Sequence, residues 1–315
     1  MRQLSHADVA RHLPEDRFGA VRELTPLNDG LSGASVFAVI TDTGEYVVRV
    51  LPPHEAAGWE RQRTMTRLAA EQGIAPPLVW VDEIGRATIS QRIVGPHFAE
   101  ALGQPDSRGR SMASVVGLLA RLHALSVDGV EHLDPLVAVQ ALWKAQSVRA
   151  GFPAWALPLG EKLDRIERRI ASDPRLAPSH NDLNPGNVLW DGARAWFVDW
   201  SAAGMTHPYY DLATFSMFLQ LTDDVALALL AAQEQRPITD DQAGTFRDLR
   251  RVAAMISALT LLTLVPAGSL QAPSRLEDAH TLGQFYGLLR SGTLALRSTD
   301  AQSMFALALL RVASS

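Results

Sequence analysis

The strongest constraint on the fold is a change of hydrophobic period near residue 94. Three runs before it, "AVRELTPL", "ASVFAVIT" and "EYVVRVL", are rich in β-branched and apolar residues with partial alternation, the pattern of half-buried strands. "NDGLSG" (Asn28–Gly33) and "DTG" (Asp42–Gly44) separate them as turns. "HEAAGWERQRTMTRLAAEQG" then spaces its apolar residues as a helix, with Gly73 placed to cap its C-terminus. "LVWVDE" and "RATISQRI", joined at "IGR", add two more strands. From Gly95 on, helix dominates: Ser107–Leu125, Glu161–Ser172 and nearly everything beyond Asp211. This order predicts an α+β chain. A five-stranded antiparallel lobe (1–94) precedes a larger helical lobe (95–315), which holds one short strand pair around 187–199. The join falls at "IVGP" (Ile93–Pro96), and ligands favour the cleft that such a join leaves.

Composition narrows the function. With 315 residues the chain can bury a sizeable core. It has no cysteine, so disulfides, thiolate metal sites and cysteine nucleophiles are excluded. A net charge of −5 gives no footprint for nucleic acid and argues against an anionic membrane surface as partner. The first residues lack an apolar signal core, and Ser5 with Asp8 reads as a capping box. "VAAMISALTLLTLV" (Val252–Val265) is too short to span a bilayer and reads as a buried helix. A cytoplasmic protein is expected.

Within the helical part, "SHNDLNPGNVLWDGARAWFVDW" (Ser179–Trp200) sets acids and amides among apolar residues. "NVLW" and "AWFVDW" read as a hairpin turning at "DGAR", with "HNDLNPG" as the loop before it. Pairing of those strands brings Asn187 and Asp199 to one end. Hard oxygen ligands at one edge suit Mg²⁺, which completes its shell with water and nucleotide phosphates. Asp182, five residues before Asn187, can approach the same point. H-x-D-x-x-x-x-N followed by a strand-end aspartate is the layout of phosphoryl transfer.

Together with "LNDGLSGASVF", "YVVRV", "GWERQ", "GIAPPL", "RLHAL" and "FVDWSAAGMTHPYYDLATF", these motifs resemble the aminoglycoside phosphotransferase and choline kinase superfamily over nearly the whole chain. The resemblance implies a bilobal protein-kinase-like fold that uses ATP and Mg²⁺, with Asp182 as catalytic base and Asn187 and Asp199 as metal ligands. The chain has no G-x-G-x-x-G, D-F-G or A-P-E, and it carries Asn181 where protein kinases carry arginine. A small-molecule alcohol is therefore expected as substrate, not a protein.

The remaining assignments are single residues. Kinases hold nucleotide phosphates with a strand lysine, but the two lysines here, Lys144 and Lys162, lie outside the strand lobe. Arg49 stands at the expected place, and arginine grips phosphate bidentately. Glu60 is expected to pair with Arg49, with Glu55 and Glu71 as competitors. Gln91 and Ile93 lie at the lobe junction, where a backbone edge suits an adenine ring. His180 and Asp211 are expected to brace the loop. Trp200, Tyr209 and Tyr210 are expected in the core, and His123 in the core or bracing a loop.

From Phe215 on, nine acids face eight arginines and no lysine. A pocket for a polycationic aminoglycoside would gather acids in excess, because each ammonium needs a partner on desolvation. A small amino alcohol such as choline or ethanolamine needs one or two acids or an aromatic face, and it is the preferred substrate class. The alternatives are an aminoglycoside and, in another class, a nucleotide-binding pseudokinase without turnover.

Overall fold

The structure, a computed structural model, describes residues 4–27 and 34–314; the turn expected at Asn28–Gly33 lies outside them. In chain order the helices and strands run α1 (His6–Ala10), α2 (Glu15–Phe18), β1 (Val21–Pro26), β2 (Ser35–Thr41), β3 (Glu45–Val50), α3 (Trp59–Glu71), β4 (Leu78–Asp82), β5 (Ala87–Gln91), α4 (Phe98–Gly103) and α5 (Pro105–His123). They continue with α6 (Pro135–Gln146), α7 (Pro158–Ala171), β6 (Ala177–Ser179), β7 (Val188–Trp190), β8 (Ala195–Phe197), β9 (Gly204–Thr206), α8 (Tyr210–Phe218), α9 (Asp223–Glu234), α10 (Asp240–Leu264), α11 (Leu282–Arg290) and α12 (Thr299–Ser314). Two compact units result: Met1–Glu131 with Gly186–Gly204, and His132–Pro185 with Met205–Ser315.

In the first unit, β1–β5 form one antiparallel sheet in the order β1-β2-β3-β5-β4. The register sets Phe37 opposite Val48 and Val48 opposite Ile89. Alternation puts Phe37, Val39, Val48, Val50, Ala87 and Ile89 on one buried face, covered by Val9, Leu13 and Phe18 from the α1–α2 segment. Full burial of the larger of these side chains contributes about 1.5–3 kcal/mol each. Arg49, between Val48 and Val50, projects from the opposite face.

The β7–β8 hairpin belongs to this unit, although it follows the helices α6 and α7 in sequence. The compact units therefore do not divide at residue 94, where strand gives way to helix. The reason is local hydrogen bonding. Phe197 N–H donates to Ile74 O at 2.9 Å, Ala195 N–H donates to Ser114 Oγ at 2.8 Å, and His97 bridges to Leu189. Gly95 passes so close to β7 that a Cβ there would lie 2.0 Å from Trp190 O; no other residue fits.

The second unit is built around α10, whose Leu249, Val252, Met255, Leu259 and Leu262 are all fully buried. Helices α6, α7, α8 and α12 pack against it. Its N-terminus carries the expected capping box, with Thr239 Oγ1 accepting from Gln242 N–H and Gln242 Oε1 from Thr239 N–H. The β6–β9 pair was not foreseen; strands of three residues are too short to show a period. Among the described residues no helix is long and apolar enough to cross a membrane.

Candidate active site

In the first unit, the β7–β8 register Val188–Phe197 continues one step further, where Val198 N–H donates to Asn187 O at 3.0 Å. Asn187 therefore sits beside the residue that precedes Asp199. Asp199 takes φ 61°, ψ 75°, a left-handed conformation that aspartate tolerates better than most residues. Its Oδ1 accepts from Arg49 Nη2 at 2.8 Å, Ser201 Oγ at 2.8 Å and Ser201 N–H at 3.4 Å. Every described hydrogen bond to this carboxylate falls on Oδ1, which leaves the Oδ2 edge for a cation.

Arg49 is the other part of this cluster. Its side chain is only 11% exposed, and Nε and Nη1 are buried without a hydrogen-bond partner among the described residues. Buried donors left unmet cost about 1–3 kcal/mol each, so these N–H groups call for an anionic acceptor. A phosphate would satisfy such donors, and a divalent cation would suit the spare Asp199 oxygen. Arg49, Asp199 and Asn187 thus fit a metal–nucleotide complex by donor type.

In the second unit, the segment that carries Asp182 is held from below by Asp211. The fully buried Asp211 carboxylate accepts His180 N–H on Oδ2 at 2.9 Å and Asn181 N–H on Oδ1 at 2.7 Å. Asn181 takes φ 66°, and the paired N–H groups hold it there. Asp182 itself is half-buried, and its Oδ1 accepts from Asn184 Nδ2 at 3.1 Å. Tyr210 is buried, and its phenol pKa is raised first by that burial and then by the charges of Asp182 and Asp211. Trp200, Tyr209 and Tyr210 are core residues, as expected, and His180 is fully buried. His123 is half-buried.

Other expected residues are not brought together. Glu60 does not meet Arg49. It is 72% exposed and pairs with Arg63 at 2.5 Å, because it shares the outer face of α3 with Arg67 and Glu71, while Trp59, Gln62, Met65 and Ala69 face inward. Gln91 ends β5, exposed, with its N–H donated to Pro77 O at 2.9 Å. Ile93 lies two residues beyond the sheet and is half-buried. Ser201, which gives two of the hydrogen bonds to Asp199, went unremarked in the sequence; its only signal there is its place two residues after an aspartate, the spacing of an Asx turn.

The model of the phosphotransferase enzyme family matches residues 23–255. The chain belongs to this family. Among its relatives, protein LicA of Haemophilus influenzae is 39% identical over 61 residues, 19% of this chain and 18% of LicA. Homoserine kinase of Beijerinckia indica is 31% identical over 195 residues, 56% of this chain and 60% of the kinase. These matches thus span less than two thirds of either relative. In fold, a choline/ethanolamine kinase family protein from Mesorhizobium loti superposes with a TM-score of 0.68 at 18% identity, covering 97% of both chains. The phosphotransferase member described here therefore has the kinase-like α+β fold that its sequence predicted.

Proposed function

We propose that this family member is an ATP- and Mg²⁺-dependent kinase that phosphorylates a hydroxyl of a small amino alcohol. The carrying observation is Arg49, buried with two donors that meet no acceptor among the described residues, beside an aspartate whose described hydrogen bonds all fall on one oxygen. Arg49 grips the phosphates of the nucleotide. Asn187 and Asp199 hold Mg²⁺, which when bound neutralises charge on those phosphates. Asp182 orients the acceptor hydroxyl and takes its proton. The backbone edge near Gln91 and Ile93 receives the adenine. Phosphoryl transfer passes through a loose transition state, so positioning and charge neutralisation carry most of the catalysis.

The acids of the helical unit support a small substrate over a polycation. Asp223, Glu234, Asp248, Glu277 and Asp278 are each engaged by arginines of the same unit. Asp224, Asp240, Asp241 and Asp300 stand in the first turns of α9, α10 and α12, where helix dipoles favour them. Five of the nine acids counted from Phe215 onward are thus ion-paired and the other four stand at helix starts, which supports a substrate that needs few acids over a polycation. The homoserine kinase relative favours a second substrate of the same class, homoserine. The test is ADP release with choline, ethanolamine, homoserine and a panel of aminoglycosides. The proposal expects a higher kcat/KM for one of the amino alcohols. A higher value for an aminoglycoside overturns the substrate class, and nucleotide binding with no ADP release on any alcohol overturns turnover itself.

A further inference from the structure

We propose that Arg61 is a positioning residue for the turn that carries Asp199, and that it performs the coupling expected of Glu60. This rests on the reading of Asp199 as a metal ligand. Arg61 lies on α3 between the exposed Glu60 and the buried Gln62, so its side chain leaves the helix near the boundary of the buried face. It is 20% exposed. Its Nη2 donates to Ser201 O at 3.2 Å, and its Nη1 meets Glu131 Oε2 at 2.7 Å.

Ser201 in turn spends its hydroxyl and its N–H on Asp199 Oδ1. A continuous path thus runs from α3 through the Arg61 guanidinium and the Ser201 main chain to the carboxylate. Asp199 needs such support, because a non-glycine residue in the left-handed region persists only where its surroundings hold it. Arg49 fixes the same oxygen from β3. The two arginines therefore secure the carboxylate from two elements: Arg49 directly, Arg61 through Ser201. Kinases couple the corresponding helix to the strand cation through an acid; here the helix reaches the metal-ligand turn itself. Glu131 keeps the guanidinium fork turned toward Ser201.

Partners that orient a metal ligand without touching the metal typically change affinity by about 10–100-fold when removed. The test titrates Mn²⁺, as a spectroscopic stand-in for Mg²⁺, into the ADP complex of the full chain and reads free Mn²⁺ by electron paramagnetic resonance. Arg61→Ala is expected to weaken Mn²⁺ binding by about 10–100-fold, with ADP affinity in the absence of metal unchanged. Arg61→Lys restores part of the loss, because one ammonium can serve Ser201 O without spanning to Glu131. Arg63→Ala, which also breaks ion pairs of α3, retains wild-type Mn²⁺ affinity. Wild-type affinity in Arg61→Ala alongside a weakened Asp199→Ala overturns the proposal, and so do equal losses in Arg61→Ala and Arg63→Ala. Should Arg61→Ala fail to fold, Arg61→Lys must bind Mn²⁺ more tightly than Arg61→Gln; equal values overturn it too. Wild-type affinity in Asp199→Ala instead removes the metal reading on which the proposal rests.

Discussion

Arg49 Nη2 lies 2.8 Å from Asp199 Oδ1, joining residues 150 positions apart in sequence. The pair is mostly withdrawn from water, with side-chain exposures of 11% and 21%. Desolvation of two charges offsets much of their attraction, and two further donors of the arginine meet no acceptor among the described residues. A contact so incompletely satisfied among the described residues fits a ligand-binding role better than that of a stabilising bridge.

Arg49→Ala tests the phosphate role. Hydrogen bonds to charged groups are worth about 1.5–3 kcal/mol, so ATP binding is expected to weaken by about 10–100-fold. Arg49→Lys should lose less, since a lysine retains the charge and gives up only the bidentate fork. Calorimetric titration ranks the three proteins; equal affinities would place Arg49 outside the nucleotide site.

Asp199→Asn separates charge from shape. Asparagine tolerates the left-handed backbone at φ 61° and can still accept from Ser201. The fold should therefore survive while Mg²⁺-dependent nucleotide binding falls. Asp199→Ala should lose binding and stability together. Unchanged Mg²⁺ dependence in the asparagine variant would remove the metal assignment.

Asp182→Asn addresses the proton. The amide keeps the size of the side chain and loses its basicity, and a positioned general base is worth about 10²–10⁴-fold in rate. Nucleotide affinity should stay at the wild-type value while kcat falls by about that factor. Near-normal turnover would mean that the hydroxyl is activated without this carboxylate.

Asp211→Ala should act on stability as well as rate. It leaves the N–H groups of His180 and Asn181 without their acceptor, at about 1–3 kcal/mol for each buried donor. Urea unfolding should show that loss, and kcat should fall with it because Asp182 is the next residue along. Wild-type stability would mean that water replaces the carboxylate.

Sequence pattern reached different parts of this molecule unequally. The five strands were legible because one face of the sheet is apolar and the other is not, which prints alternation around Phe37, Val48 and Ile89. The placing of Asn187 beside Val198, the residue before Asp199, followed from hairpin spacing. The expected partner for Arg49 failed on helix geometry. Glu60 carries the charge of a partner, but it lies on the face of α3 that Arg67 and Glu71 share with solvent. The Arg61 contact had no signature, because its acceptor is a main-chain carbonyl 140 residues away and any residue type supplies one.

Acid should loosen the approach to β6 before it unfolds the sheet. Arg175, just before β6, holds Asp173 bidentately, with Nη2 to Oδ2 at 2.7 Å and Nε to Oδ1 at 2.8 Å. These bonds, chiefly, lower the Asp173 pKa to about 2. His207, which follows β9, sets Nε2 3.3 Å from Asp173 Oδ2. Burial pushes its imidazole below the ordinary 6.5, although the Asp173 charge pulls the other way. Both groups bind fewer protons folded than unfolded, so both contribute stability that falls as pH falls. The His207 contribution is complete above about 6.5 and declines below it. The Asp173 contribution is complete above about 3.9 and declines toward about 2. Urea midpoints measured between pH 7.5 and 4.5 should therefore drop in the wild type and drop less in His207→Gln, which has no proton to gain there. Asp173→Asn should leave less acid sensitivity below pH about 4. Parallel pH profiles for the wild type and His207→Gln would show that the imidazole titrates alike in the folded and unfolded chains.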